Sequence, residues 1–175
     1  ILQPGEIGLL NLLISYSALF ATLSNLGIVN ICSRMFPFFR NKEKGHNGFL
    51  SLAIIINILG FLLTILLFYT LQDYILKDSA DKSPILNEYF YYIIPLFLFT
   101  QFFNVFDVYY RVLYDAVIST FFKEVIQRIL ILVSILLFNY QIINFSLFVT
   151  LYCVSICLPT VFLIISLIID GEFFL

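Results

Sequence analysis

ILILVSILLFNYQIINFSLFVTLYCVSICLPTVFLIISLII, the stretch from Ile129 to Ile169, contains no charged side chain. It is too long for the buried strand or helix of a water-soluble domain. A helix rises ~1.5 Å per residue and the hydrocarbon layer of a bilayer is ~30 Å thick, so about 20 apolar residues cross it. The run breaks once, at Asn139-Tyr140-Gln141 with Asn144 close behind. It therefore reads as two membrane-spanning helices joined by a tight turn.

The rest of the chain has the same character. Hydrophobic residues make up 62% and charged residues only 11%, and the mean hydropathy is +1.04. Soluble domains carry roughly 25% charged residues because their surfaces face water. A soluble all-helical protein with an oversized core would need polar faces at helical spacing, and the sequence lacks them. Apolar runs read against their polar interruptions predict an all-α integral membrane bundle of about five transmembrane helices, at about 8–33, 49–71, 89–114, 121–139 and 145–169.

Lys and Arg are retained on the cytoplasmic side of membranes, and alternate connections must share a side. The first and third connections with their flanks hold Arg34, Arg40, Lys42, Lys44, Arg111, Lys123 and Arg128. The second, acidic with Asp73, Asp78, Asp81 and Glu88, holds only Lys77 and Lys82. Seven cations against two predict a cytoplasmic first connection, an external N-terminal loop, and Asp170-Gly171-Glu172 inside. No signal peptide is visible, so an external N-terminal loop implies a preceding helix, and six spans with both ends cytoplasmic. Eleven tyrosines, mostly near predicted span ends, suit an interfacial aromatic belt in a chain without Trp.

Ionisable groups at membrane depth are costly, so each is a functional candidate. Gln101, Asn104, Asp107 and Arg111 recur at three- and four-residue spacing, with Asp115 continuing the row, which places them on one helical stripe. Asp107 and Arg111 can pair at i,i+4. The stripe either faces a water-filled cavity or dips into headgroups, where charges snorkel. For the deeper Asn104 and Asp107 the cavity is the favoured reading; for Arg111 and Asp115 both stand. The first span carries small and amide residues suited to close helix packing, of which Asn25 is the candidate lumen-facing group. Arg34 closes that helix, and Pro37 is expected to end it. In the fourth span Glu124 and Arg128 are spaced to pair, and Arg128 is the cation most expected to point into a cavity. Pro95 and Pro159 lie within spans, where they can kink helices. Cys32, Cys153 and Cys157 read as packed thiols.

The sequence has no nucleotide-binding glycine loop, paired-cysteine metal motif or HExxH. His46, the single histidine, lies in the basic loop and reads as solvated and idle. No Ser/His/Asp constellation can be built from it, and the positive charge lacks the aromatic platforms of nucleic-acid binding. The expectation is a protein that is not an enzyme, with no cofactor, no metal and no nucleic-acid partner.

Leu2-Gln3-Pro4-Gly5-Glu6-Ile7-Gly8-Leu9, opening a helix that reaches Leu26-Gly27-Ile28 and Ser33-Arg34-Met35-Phe36-Pro37, resembles the second helix of polysaccharide-biosynthesis flippases. These are the O-antigen and lipid-linked-oligosaccharide translocases of the multidrug/oligosaccharidyl-lipid/polysaccharide exporter superfamily. Lys42 to Gly48 with Phe49-Leu50 is similar to their loop into the third helix. Arg111-Val112-Leu113-Tyr114, then Phe122-Lys123-Glu124-Val125 with Arg128, is similar to the link between their fourth and fifth helices. The resemblance implies two helical bundles around a central cavity that opens alternately to each side of the cytoplasmic membrane. This chain would supply most of the first bundle, with an opening helix and a second bundle outside it. The partners implied are membrane lipids, a polyprenyl-pyrophosphate-linked glycan and that second bundle. Arg34, Arg111 and Arg128 would contact the anion, Asn25 and Asn104 the glycan, and Asp107 would serve as partner or coupling-ion ligand. Two rivals are a drug or metabolite antiporter of the same superfamily and a membrane-embedded glycan transferase or polymerase.

Overall fold

The computed structural model describes residues 3–79, 86–113 and 117–173, and every regular element among them is helical. The chain is an all-α membrane bundle. Helix α1 (Pro4–Ser24) opens with the Gln3 N–H donating to Glu6 Oε2 at 2.7 Å. It breaks at Leu26 and Gly27, whose φ angles are +46° and +77°, and resumes as α2 (Ile28–Phe39). The predicted span 8–33 is thus two helices that together reach further at both ends. The expected stop at Pro37 does not occur either. Ile28, Cys32 and Phe36 recur every four residues and are fully buried, with the Phe36 ring edge-on to Phe49 and Tyr109. Burying that face outweighs the one backbone bond Pro37 cannot donate.

A 3-10 turn (Lys42–Gly48) leads into α3 (Phe49–Ser79), whose 31 residues span ~46 Å, well beyond the hydrocarbon thickness. Helix α4 (Leu86–Leu113) begins through a 3-10 stretch at Phe90–Tyr92. Pro95 therefore sits in the first turn of the regular helix, where its missing donor costs little, and is not a mid-span kink. Helix α5 (117–139) starts before its predicted boundary and contains a π-helical segment at Phe122–Ile126. Helix α6 (Phe145–Ile169) carries Pro159 inside it. By length and composition α1, α3, α4 and α6 can each cross a membrane. Tyr114 and Asp115 of the third connection and Asp81 and Lys82 of the second lie outside the described residues, as do the side chains of Lys77 and Asp78.

Half of the most apolar window of α4 is buried, more than in α1, α3 or α6, and α4 packs against α1, α2, α3 and α6. The core has two aromatic-rich halves. One gathers Phe20, Phe68, Phe90, Phe97 and Phe148, and the other Phe36, Phe49, Phe106, Tyr109 and Tyr110. Between them runs a polar layer of Ser24, Asn57, Gln101 and Thr160, all buried. The outer faces are greasy: Leu59, Leu62, Leu63 and Leu66 of α3 and Ile129, Leu132 and Leu136 of α5 are exposed. An apolar perimeter of this extent belongs against lipid chains.

Contacts at the ends fix which connections share a side. Arg40 Nη2 donates to the Leu113 carbonyl at 3.1 Å, and Lys42 pairs with Glu172 at 2.6 Å. The first connection, the end of α4 and the segment after α6 therefore lie together, as alternate crossing requires. At the opposite end Gln3 and Glu6 share a pocket wall with Asn139, Gln141 and Asn144. Tyr69, Tyr74, Tyr91 and Tyr140 are exposed, as interfacial anchors would be. Tyr109 and Tyr110 are not part of a belt. They are buried, and their hydroxyls donate to the Glu172 carbonyl at 3.3 Å and to Asp170 Oδ2 at 2.6 Å.

Candidate functional site

The break between α1 and α2 creates the main polar feature. Helical backbone bonds are interrupted there, and the groups they release must find partners or water. Non-helical backbone at membrane depth is tolerated only where it is buried in protein or lines a water-filled cavity. Both conditions appear. On one side, Gly60 of α3 packs so closely that a Cβ on it would overlap the Ser24 carbonyl oxygen. On the other, a cavity of ≈ 440 Å³ opens between the break and α4, lined by Thr22, Asn25, Gly27, Val29, Asn30, Asn104, Asp107, Val108 and Arg111.

Four of the side chains singled out by the sequence meet in this cavity: Asn25, Asn104, Asp107 and Arg111. Asp107, 8% exposed, accepts from Arg111 Nε at 3.0 Å and from Arg111 Nη2 at 2.6 Å. Both carboxylate oxygens are engaged by a fork-to-fork pair, the strongest common geometry for these groups. The guanidinium side chain is half exposed, so its remaining N–H groups face the opening. Asn25 is 8% exposed, and its Oδ1 has no hydrogen-bond partner among the described residues. A buried unpartnered acceptor costs about 1–3 kcal/mol unless water or a ligand donates to it.

Gln101 belongs to the predicted stripe but points elsewhere. It is fully buried, accepts from the Ser24 hydroxyl and donates through Nε2 to the Asn57 carbonyl at 3.3 Å. The layer thus ties α1, α3 and α4 together behind the cavity. Asn57 has no exposed surface, and both polar atoms of its side chain lack partners among the described residues. Sequence reasoning passed over it, although it is the one amide in the apolar run from Phe49 to Leu71.

Arg34 and Arg128 lie outside this cavity. Arg34 follows Asn30 by one helical turn on α2 and is exposed. Arg128 does not point into it: its side chain is 74% exposed and pairs with Glu124 across one turn of α5. The π-helical segment at Phe122–Ile126 shifts the register of α5, and Lys123 turns toward Phe103 instead. His46 also departs from expectation. It is 3% exposed, with Nε2 at 2.8 Å from Glu172 Oε2, while the Asn41 N–H donates to Nδ1 at 3.2 Å. The Asp170-Gly171-Glu172 segment folding back under the loop buries it, a long-range contact that local spacing does not encode. Gly45, His46, Asn47 and Gly48 all take positive φ in that loop.

Comparison with family models, with curated proteins and with solved structures finds no match for this chain.

Proposed function

We propose that this bundle is the first half of a membrane transporter that moves a lipid-linked oligosaccharide or polysaccharide precursor across the cytoplasmic membrane by alternating access. The observation that carries this reading is the cavity at the α1–α2 break, lined by the amides of Asn25, Asn30 and Asn104 and by a half-exposed arginine already held by a carboxylate. A pyrophosphate-linked glycan cannot cross hydrocarbon, because its sugars and phosphates would lose hydration. Arg111 offers its spare N–H groups to phosphate oxygens, as planar guanidinium groups do well. Asp107 holds that fork in place. The Asn25, Asn30 and Asn104 amides and the Thr22 hydroxyl exchange hydrogen bonds with sugar hydroxyls in place of water. The polyprenyl tail remains in lipid, and a second bundle closes the cavity from the open side.

The Asp107 pairing favours a flippase over an ion-coupled antiporter. A coupling carboxylate must be free to take and release its cation, and both Asp107 oxygens are occupied by Arg111.

The test is translocation of a labelled lipid-linked glycan in vesicles carrying the intact transporter. Arg111→Gln is expected to reduce translocation at least tenfold with normal membrane insertion, Arg111→Lys to retain part of it, and Arg128→Gln to leave it unchanged. Wild-type rates in Arg111→Gln, or glycan-bond formation in place of movement, would overturn the assignment.

A further inference from the structure

A second, smaller cavity of ≈ 190 Å³ lies among α1, α4, α5 and α6. Ile14, Phe103, Ile131 and Ile156 give it apolar walls, and Lys123 and Gln127 stand at one side. The Lys123 ammonium sits over the Phe103 ring, 5.1 Å from its centre. Among the described residues Lys123 has no carboxylate partner, because the adjacent Glu124 is taken by Arg128. This is a cation held against an aromatic face beside a greasy slot, with no carboxylate paired to it among the described residues.

That combination specifies its occupant. The volume lies below the ~300–1,000 Å³ typical of drug-sized ligand sites, so it fits the end of one chain rather than a bulky solute. A charged ammonium beside apolar walls is stabilised by an anion arriving with its own apolar body. The surroundings of the bundle supply such molecules: basic pockets between transmembrane helices bind the headgroups of anionic lipids. We propose that the Lys123 cavity is a binding site for an anionic phospholipid, with the phosphate at Lys123 and Gln127 and an acyl chain against Ile14, Ile131 and Ile156. The inference rests on the membrane class of the chain and is independent of what the larger cavity transports.

The experiment is native mass spectrometry of the intact protein released from nanodiscs of equal phosphatidylglycerol and phosphatidylethanolamine. Wild type is expected to retain one phosphatidylglycerol at least fivefold more often than phosphatidylethanolamine. Lys123→Gln should lose that preference and Lys123→Arg keep it. Ala18→Phe, which fills the slot and leaves the charge, should lose the retained lipid of either kind. Lys44→Gln, in the basic loop, controls for overall charge and should behave as wild type. Equal retention in wild type and Lys123→Gln, undiminished retention in Ala18→Phe, or an equal loss in Lys44→Gln would each overturn the site. Circular dichroism melts matched to wild type exclude misfolding as the cause of a loss.

Discussion

Single residues at the helix break decide whether the polar cavity exists. Gly60 is the clearest case. Its lack of a Cβ lets α3 approach the end of α1 until its backbone meets the Ser24 carbonyl. Gly60→Ala is expected to destabilise the bundle by about 1–3 kcal/mol, the usual cost of overpacking, read as a lower thermal midpoint in detergent. An unchanged midpoint would mean the two helices are not in contact there. The same scale explains which site residues the sequence revealed. Asp107 and Arg111 were legible because a charge at membrane depth is costly and four-residue spacing allows pairing. Asn25 was legible as one of the amides in an otherwise apolar first span. Arg128 was misplaced for a local reason: Glu124 sits one turn away and satisfies it on the exposed face.

At the level of elements, the broken first span is the main departure from expectation. Hydropathy does not change between residues 8 and 33, so the break is invisible to periodicity. Its clearest local mark is Gly27, which takes a left-handed conformation that other residues adopt at a cost of about 1–2 kcal/mol. Two glycine-to-alanine changes therefore have opposite expected signs. Gly27→Ala (φ +77°) should lower stability by about 1 kcal/mol, whereas Gly8→Ala, inside α1 with open space around it, should raise it by up to about 1 kcal/mol through helix propensity. Thermal unfolding of the two variants side by side checks the pair, and a shift of the same sign in both would remove the break. The π-helical segment in α5, which packs against α6, was likewise illegible, because Phe122–Ile126 contains no helix breaker. The all-helical, lipid-facing character and the order of the apolar segments were legible, since those depend only on apolar length, but the count was not: five spans were expected, and four helices, α1, α3, α4 and α6, are long and apolar enough to cross.

For the whole molecule, the arrangement is a helical bundle with an apolar perimeter, two aromatic core halves and a polar layer between them, next to the cavity between the α1–α2 break and α4. Sequence charge bias assigned the first connection and the segment after α6 to one side, and the Lys42–Glu172 and His46–Glu172 contacts place them together. What local reasoning could not supply was the closure of that end, where residues more than a hundred positions apart bury a histidine. The central claim is that water reaches the α1–α4 cavity and does not reach the α3 perimeter. The direct measurement is labelling of single cysteines by a membrane-impermeant maleimide, in a background with Cys32, Cys153 and Cys157 replaced. In vesicles with the cytoplasmic face accessible, Asn104→Cys is predicted to react readily and Leu63→Cys to remain unlabelled. An unreactive cysteine at 104, or one at 63 that reacts as fast, would contradict the account.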